Sequence, residues 1–292
     1  MVLSLQLAHR LNNKNVLLVG GGEVALTRVE KLVITGCKIT LIANDIHEDI
    51  LERYAPFCLD NDSKDIINPE WEKTHPTEVY RVIRTPFEDK HFHLYQNPDG
   101  SSVDSNWAMI LTCIPDRAVS ESIYLESKKL FGNQQLVNVA DNPPYCDFYF
   151  GANLNIPATD LSTQGKESLL QLLISSNGAS PRFTALIRDE IDEFLRQFDI
   201  EDSVLKLGEL RKQIRLQSNK YVEEDNDDHL AVLKYRMQWI KKCTDIFGLQ
   251  NCSRMNTEKL LTLYDKMYRD EKSTVFPDSD EMLREYAITG SK

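Results

Sequence analysis

Three glycines in a row, Gly20-Gly21-Gly22, are the first residues of this sequence whose types could do chemistry. They follow the apolar run Val16-Leu17-Leu18-Val19 and precede Glu23 to Val33, a segment with helical apolar spacing. A glycine turn that opens a helix favours an anion. Free N–H groups and the positive end of the helix dipole converge there, so a phosphate needs no basic side chain. In the spacing Gly20-x-Gly22-x-x-Ala25, Gly20 makes the tight turn, Gly22 lets the backbone approach a pyrophosphate, and small Ala25 lets the helix lie close on the strand. Gly36 stops the helix and Lys38-Ile39-Thr40-Leu41-Ile42 reads as a second strand. Strand, glycine turn, helix and strand in this order make the βαβ unit that binds a dinucleotide.

An NAD site usually carries an acid at the end of the second strand, where it accepts from the ribose hydroxyls. Here that position is Ala43 or Asn44, with Asp45 just beyond, and no Arg stands there to receive a 2′-phosphate. NAD is therefore favoured over NADP. A second carboxylate of interest is Asp141, delivered at the carboxyl end of Leu136-Val137-Asn138-Val139-Ala140. Ligands of open α/β sheets bind at that edge, which puts Asp141 on the same side of the sheet as the glycine turn. The polar turn from Ser175 to Arg182 opens a helix, with Ser180 as N-cap and Pro181 at its first position, and Arg182 and Arg188 could hold a carboxylate near its start. The close pair His91-x-His93 reads as surface residues in a polar loop, and the six cysteines form no C-x-x-C pair, so no fixed metal site is expected.

The elements that must position these residues follow from patterning. Val79 to Ile83 reads as a third strand, and Trp107 to Cys113, apolar on both faces, as a central parallel strand. Between Arg117 and Leu130 the spacing is helical, and Leu136 to Ala140 is a fifth strand. His47 to Glu78 reads as a short helix and a solvated surface loop, and Asn97 to Ser102 as a turn. From Asn142 the pattern changes. Cys146 to Phe150 and Ser168 to Ile174 look like strands joined by a polar stretch, and two strands alone bury too little, so a second copy of the chain is expected to complete their sheet. The helix after Pro181 carries Phe183, Leu186, Ile187, Ile191, Phe194 and Phe198 on one stripe and is expected to pack through it. The rest is helical: an apolar stripe from Val204 to Ile214, then segments from about His229 to Phe247, Asn256 to Arg269 and Ser279 to Tyr286. The acidic run from Glu223 to Asp228 is a solvated loop.

A net charge of −11 argues against nucleic acid as a partner. It also makes an anionic substrate depend on a local basic pocket. No apolar run approaches the length of a membrane span, and the N-terminus is too polar for a signal segment, so a cytoplasmic protein is expected.

Val16 to Gly22, Met109 to Cys113, Leu136 to Asp141, Cys146 to Asn153, Ser175 to Arg182 and Lys206 to Arg211 occur together and in this order. In that combination the chain resembles the siroheme-synthesis proteins: the fungal bifunctional precorrin-2 dehydrogenase/sirohydrochlorin ferrochelatase over nearly its whole length, and the amino-terminal half of bacterial siroheme synthase. The resemblance implies an α/β fold, with a Rossmann-type NAD-binding domain over 1–142, a small α+β dimerisation domain over 143–200 and a helical domain over 201–292, assembled as a homodimer. It implies NAD-dependent oxidation of precorrin-2 to sirohydrochlorin, then insertion of Fe²⁺, as substrate, to give siroheme. It carries the catalytic aspartate onto Asp141 and cofactor binding onto Gly20, Gly22, Glu23, Val24, Asn44 and Asp45. Such a tetrapyrrole bears eight carboxylates, for which Arg182, Arg188 and Arg211 are the candidate partners. The bacterial phosphorylation-site serine is replaced here by Ala152, so that regulation is not expected, and the stretch from Asn155 to Glu167 looks longer than usual. Alternatives are an NAD-dependent dehydrogenase without chelatase activity and a non-catalytic dinucleotide-binding sensor.

Overall fold

The computed structural model describes residues 4–96, 107–157 and 170–288. The expected turn from Asn97 to Ser102 and most of the polar stretch before Glu167 lie outside these residues. Two compact units are present, the first built from the chain up to Gly151 with Ser175–Pro181, the second from Ala152 onward outside that turn and from Arg182 to the end.

The first unit begins with β1 (Asn15–Val19), α1 (Glu23–Val33), β2 (Lys38–Ile42), α2 (Glu48–Tyr54), β3 (Asp65–Ile67) and α3 (Trp71–Thr74). It continues with β4 (Arg81–Ile83), β5 (Met109–Thr112), α4 (Arg117–Phe131) and β6 (Val137–Val139). The sheet order is β3-β4-β2-β1-β5-β6, parallel throughout except for antiparallel β3 at the edge. β1 is buried on both faces, as an unbroken apolar run at the centre of a parallel sheet should be. Val16 and Leu18 pack with Ala25, Val29 and Leu32 of α1, whereas Leu17 and Val19 pack with Ile123 of α4.

Register aligns the edge that matters. Val19 pairs with Ile42 and with Thr112, Ile42 with Ile83, and Thr112 with Val139, so all five parallel strands end on one rung. One further bond extends each ladder: Gly20 N–H to Ile42 O at 2.9 Å, Ala43 N–H to Ile83 O at 3.0 Å, Cys113 N–H to Val19 O at 2.7 Å and Ala140 N–H to Thr112 O at 3.0 Å.

Three expectations need correction. The segment between His47 and Glu78 is not a solvated insertion: it contributes β3, and Tyr54, Cys58, Ile66 and Trp71 are buried. Cys146 to Phe150 is not a strand. Cys146 makes a single bridge to Asn138, and Asp147 turns its carboxylate back onto Val137 N–H at 2.8 Å and Lys128 Nζ at 2.7 Å. A chain held by its side chains in this way does not ladder, and Phe148 and Phe150 pack on the first unit's core instead.

The second unit holds β7 (Ala152–Ile156), antiparallel to β8 (Leu170–Ile174), then α5 (Pro181–Leu195), α6 (Ile200–Glu223), α7 (His229–Asn251), α8 (Thr257–Arg269) and α9 (Ser279–Tyr286). Helices α6 to α9 share a core around Leu210, Ile214, Trp239, Leu260 and Tyr264. The expected stripe on α5 packs only in part among the described residues, which is the third correction: Ile187, Ile191 and Phe198 are half-buried, but Phe183, Leu186 and Phe194 are 61%, 45% and 52% exposed. No described helix is long and apolar enough to cross a membrane.

Candidate active site

The glycine turn is built by close approaches that no side chain could share. Gly20 has φ +107°, and a Cβ there would stand 2.5 Å from Cys113 O. A Cβ on Gly21 would stand 2.4 Å from Asp45 O. Gly22 is different: its Cβ would meet nothing within 4 Å. The space above Gly22 is therefore open, and no side chain caps the N-terminus of α1 that begins there. An open, uncapped helix start of this kind fits a pyrophosphate. Ala25 is fully buried against the sheet, so the helix lies close on it.

Around this turn Glu23, Val24, Asn44 and Asp45 are all exposed. The end of β2 is stitched to the turn through His47, whose N–H donates to Gly21 O at 2.7 Å. His47 Nδ1 accepts from Asp49 N–H at 3.1 Å, capping α2, and Nε2 lies 3.0 Å from Glu23 Oε1. With Nδ1 accepting, the ring proton sits on Nε2 and donates to the Glu23 carboxylate.

Asp141 follows Ala140 at the same edge. It is two residues past the common rung on β6, as Gly20 is one residue past it on β1, with only β5 between, a lateral offset of about 10 Å. Its backbone is left-handed, φ +57°, and its exposed carboxylate has no hydrogen-bond or ion-pair partner among the described residues. The turn behind it is braced: Asn142 is buried and donates from Nδ2 to Glu121 Oε1 at 3.0 Å, and Tyr145 N–H donates to Asn142 O at 3.0 Å. Asp141 is thus a free carboxylate on a fixed backbone, able to take a proton from a ligand at the sheet edge.

The polar turn from Ser175 belongs to the first unit up to Pro181. Ser175 Oγ accepts from Asn177 N–H and Ser176 Oγ from Ser180 N–H, and a Cβ on Gly178 would touch the Tyr149 ring at 3.4 Å. Arg182, Arg188 and Arg211 belong to the second unit. Arg188 is engaged by Asp189, and Arg182 and Arg211 are exposed.

Sequence reasoning passed over Gly21, His47 and Arg28. Arg28 on α1 lays its guanidinium 4.4 Å from the centre of the Phe150 ring, and its buried Nε has no acceptor among the described residues. The histidine pair also reads differently in the fold: His91 is buried, its Nδ1 accepts Glu88 N–H at 2.9 Å, and burial lowers its pKa. The six thiols are free, and burial pushes those of Cys37, Cys58 and Cys113 up to about 11, so they stay protonated. Among the described residues no group of three or more His, Cys, Asp or Glu could hold a metal ion.

An NAD(P)-binding family model matches residues 7–152. The sirohaem biosynthesis central and C-terminal models match 170–193 and 198–274. A siroheme biosynthesis protein of Saccharomyces cerevisiae is 44% identical over 98% of this chain and 99% of its own length. A siroheme biosynthesis protein of Schizosaccharomyces pombe is 28% identical over 87% of this chain and 75% of its own. The siroheme synthase of a Psychrobacter species is 25% identical over 65% of this chain and 30% of its own. Among solved structures, a protein titled SirC, precorrin-2 dehydrogenase, shares the fold, with a TM-score of 0.51 and 20% identity, covering 90% of this chain and all of that one.

Proposed function

The chain belongs to the siroheme biosynthesis family with an NAD(P)-binding first domain, and on that premise we propose that it oxidises precorrin-2 to sirohydrochlorin with NAD and inserts Fe²⁺ to give siroheme. The observation that carries the proposal is the pairing, on one sheet edge, of an open anion cradle at Gly22 with an unpaired carboxylate at Asp141. Gly20, Gly22, Glu23, Val24, Asn44 and Asp45 hold the cofactor, with the N–H groups at the start of α1 facing its pyrophosphate. Bound NAD supplies the hydride acceptor. Oxidation also releases a proton, and Asp141, the carboxylate beside that edge, takes it. Metal insertion expels two pyrrole N–H protons, and the same carboxylate accepts one and guides the cation as it enters.

Holding many substrate carboxylates on a chain of net charge −11 requires local cations. We assign this to Arg182, Arg188 and Arg211, and add Arg28, which has an unmet buried donor. The chain works as a homodimer. Supporting this are a middle sheet of two strands among the described residues and the exposed apolar residues of α5, both of which a second copy would cover. The domains run 1–142, 143–200 and 201–292, with 143–151 as an arm packed on the first. Six free thiols support a reducing, cytoplasmic setting.

The test mixes purified protein with precorrin-2 and NAD, follows NADH by absorbance, then adds Fe²⁺ and follows the siroheme spectrum. NADH followed by siroheme is expected, with both rates lost in Asp141→Asn. No NADH from the wild type would overturn the dehydrogenase, no siroheme the chelatase, and full turnover by Asp141→Asn the role of that residue alone.

A further inference from the structure

The end of β2 lacks the acid in its usual place, since Ala43 is buried and Asn44 is neutral. The fold brings another carboxylate to that corner. Glu23, the first residue of α1, is reached by His47 from the loop after β2, Nε2 to Oε1 at 3.0 Å. His47 is itself fixed at three points: its N–H on Gly21 O, its Nδ1 on Asp49 N–H, and its Nε2 on Glu23. Because Nδ1 accepts a backbone N–H, the ring faces Glu23 with Nε2 as its donor. The corner therefore presents two carboxylates, Glu23 and Asp45, with the imidazole fixed behind one of them.

We propose that His47 is a positioning residue for cofactor choice: it holds the Glu23 carboxylate on the β2 side of the glycine turn, where it accepts from an adenosine ribose hydroxyl and repels a 2′-phosphate. The inference rests on the dinucleotide reading above and names the residues that make that site select NAD. A ribose diol can donate to a fixed carboxylate. A 2′-phosphate has no proton to give and meets like charge at hydrogen-bond range.

The test measures NADH and NADPH binding by the quenching or enhancement of their own fluorescence, without turnover. Wild type is expected to prefer NADH by at least about tenfold. In Glu23→Gln the charge is gone and the preference falls by about tenfold, chiefly through tighter NADPH. His47→Asn is the discriminating variant. Asparagine is as good an N-cap for α2 as the imidazole, but it is too short to reach Glu23. It is expected to keep the wild-type melting temperature while losing most of the preference. Equal binding of NADH and NADPH by the wild type, or an unchanged preference in either variant, would overturn the inference and leave the dinucleotide reading standing. Absence of NADH binding by the wild type would overturn both.

Discussion

Gly21 and Gly22 are neighbours of the same type with different reasons to be glycine, and adding one methyl to each separates the reasons. In Gly21→Ala the new Cβ would lie 2.4 Å from Asp45 O and 3.0 Å from both Ala43 Cβ and Ile46 Cα. A carbon and a carbonyl oxygen normally rest at about 3.3 Å or more, so the β2 end must retreat by about 1 Å. That retreat pulls on the bond from His47 N–H to Gly21 O. Overpacking of this kind costs about 1–3 kcal/mol, a fall of roughly 3–10 °C in melting temperature. In Gly22→Ala the Cβ meets nothing, and the backbone at φ −84°, ψ −166° suits any L residue. Folding then loses only the small N-cap difference between glycine and alanine, about 1 kcal/mol or less. The methyl instead occupies the space left for phosphate. Loss of one charge-assisted hydrogen bond, about 1.5–3 kcal/mol, weakens dinucleotide binding about 10–100-fold. Thermal unfolding by circular dichroism and NADH fluorescence titration read the two effects. A Gly22→Ala protein that binds NADH like the wild type, or a Gly21→Ala protein that melts like it, refutes the division of roles.

Asp147→Ala should lower the urea midpoint by the equivalent of about 2–4 kcal/mol. It strands Val137 N–H, and it leaves the ammonium of Lys128, whose side chain is only 12% exposed, on the carbonyls of Asn133 and Gln135 without a counter-charge. Asp65→Asn tests the antiparallel edge: Arg81 grips both oxygens of Asp65 at 2.7 and 2.6 Å and holds its carboxyl below the usual range. A depressed folded pKa stabilises above the unfolded value and the gain is lost as pH falls through the folded one. The variant should therefore be weaker than wild type by about 1 kcal/mol or less near neutrality, because the aspartate is half exposed, and equal to it in strong acid. Urea midpoints of both proteins along an acid series decide this. Phe194→Asp should yield a single-copy mass by sedimentation equilibrium with unchanged helix content, since that ring is 52% exposed in the isolated chain; a wild type that sediments as one copy would remove the dimer.

Much of this fold is legible because the determinants are local. The first βαβ unit is written in an apolar run, a glycine turn and an apolar stripe within one short stretch. Helices α7, α8 and α9 begin where Asp228, Asn256 and Asp278 accept a backbone N–H from their first turns, and each cap stands next to the residue it caps. What escapes reading is determined from far away. Strand β3 is three residues among aspartates, asparagines and lysines, and it is a strand because distant β4 pairs with it, Ile66 opposite Val82, while the Arg81 side chain reaches diagonally to Asp65. The alternation from Cys146 to Phe150 looks like a strand until Asp147 is seen to satisfy Val137 and Lys128. The stripe on α5 is apolar as read, but periodicity says which face is apolar and not whether the chain itself covers it.

The site shows the same division. Gly20 and Gly22 are found by pattern, whereas Gly21 and His47 acquire their roles only when the end of β2 folds across the turn. Register is what joins them to Asp141. Because Val19, Ile42, Ile83, Thr112 and Val139 share a rung, the residues one and two beyond it form a row along the edge: the glycine turn, the β2 corner and Asp141. A slip of one residue between β5 and β6 would send Val137 and Val139 to the opposite face and turn Asp141 with them. Both valines are buried, at 0% and 2% exposure, so that slip would uncover apolar core. The packing of two valines, more than any contact of its own, therefore fixes where this carboxylate stands, and it allows Asp141 to be left without a partner among the described residues.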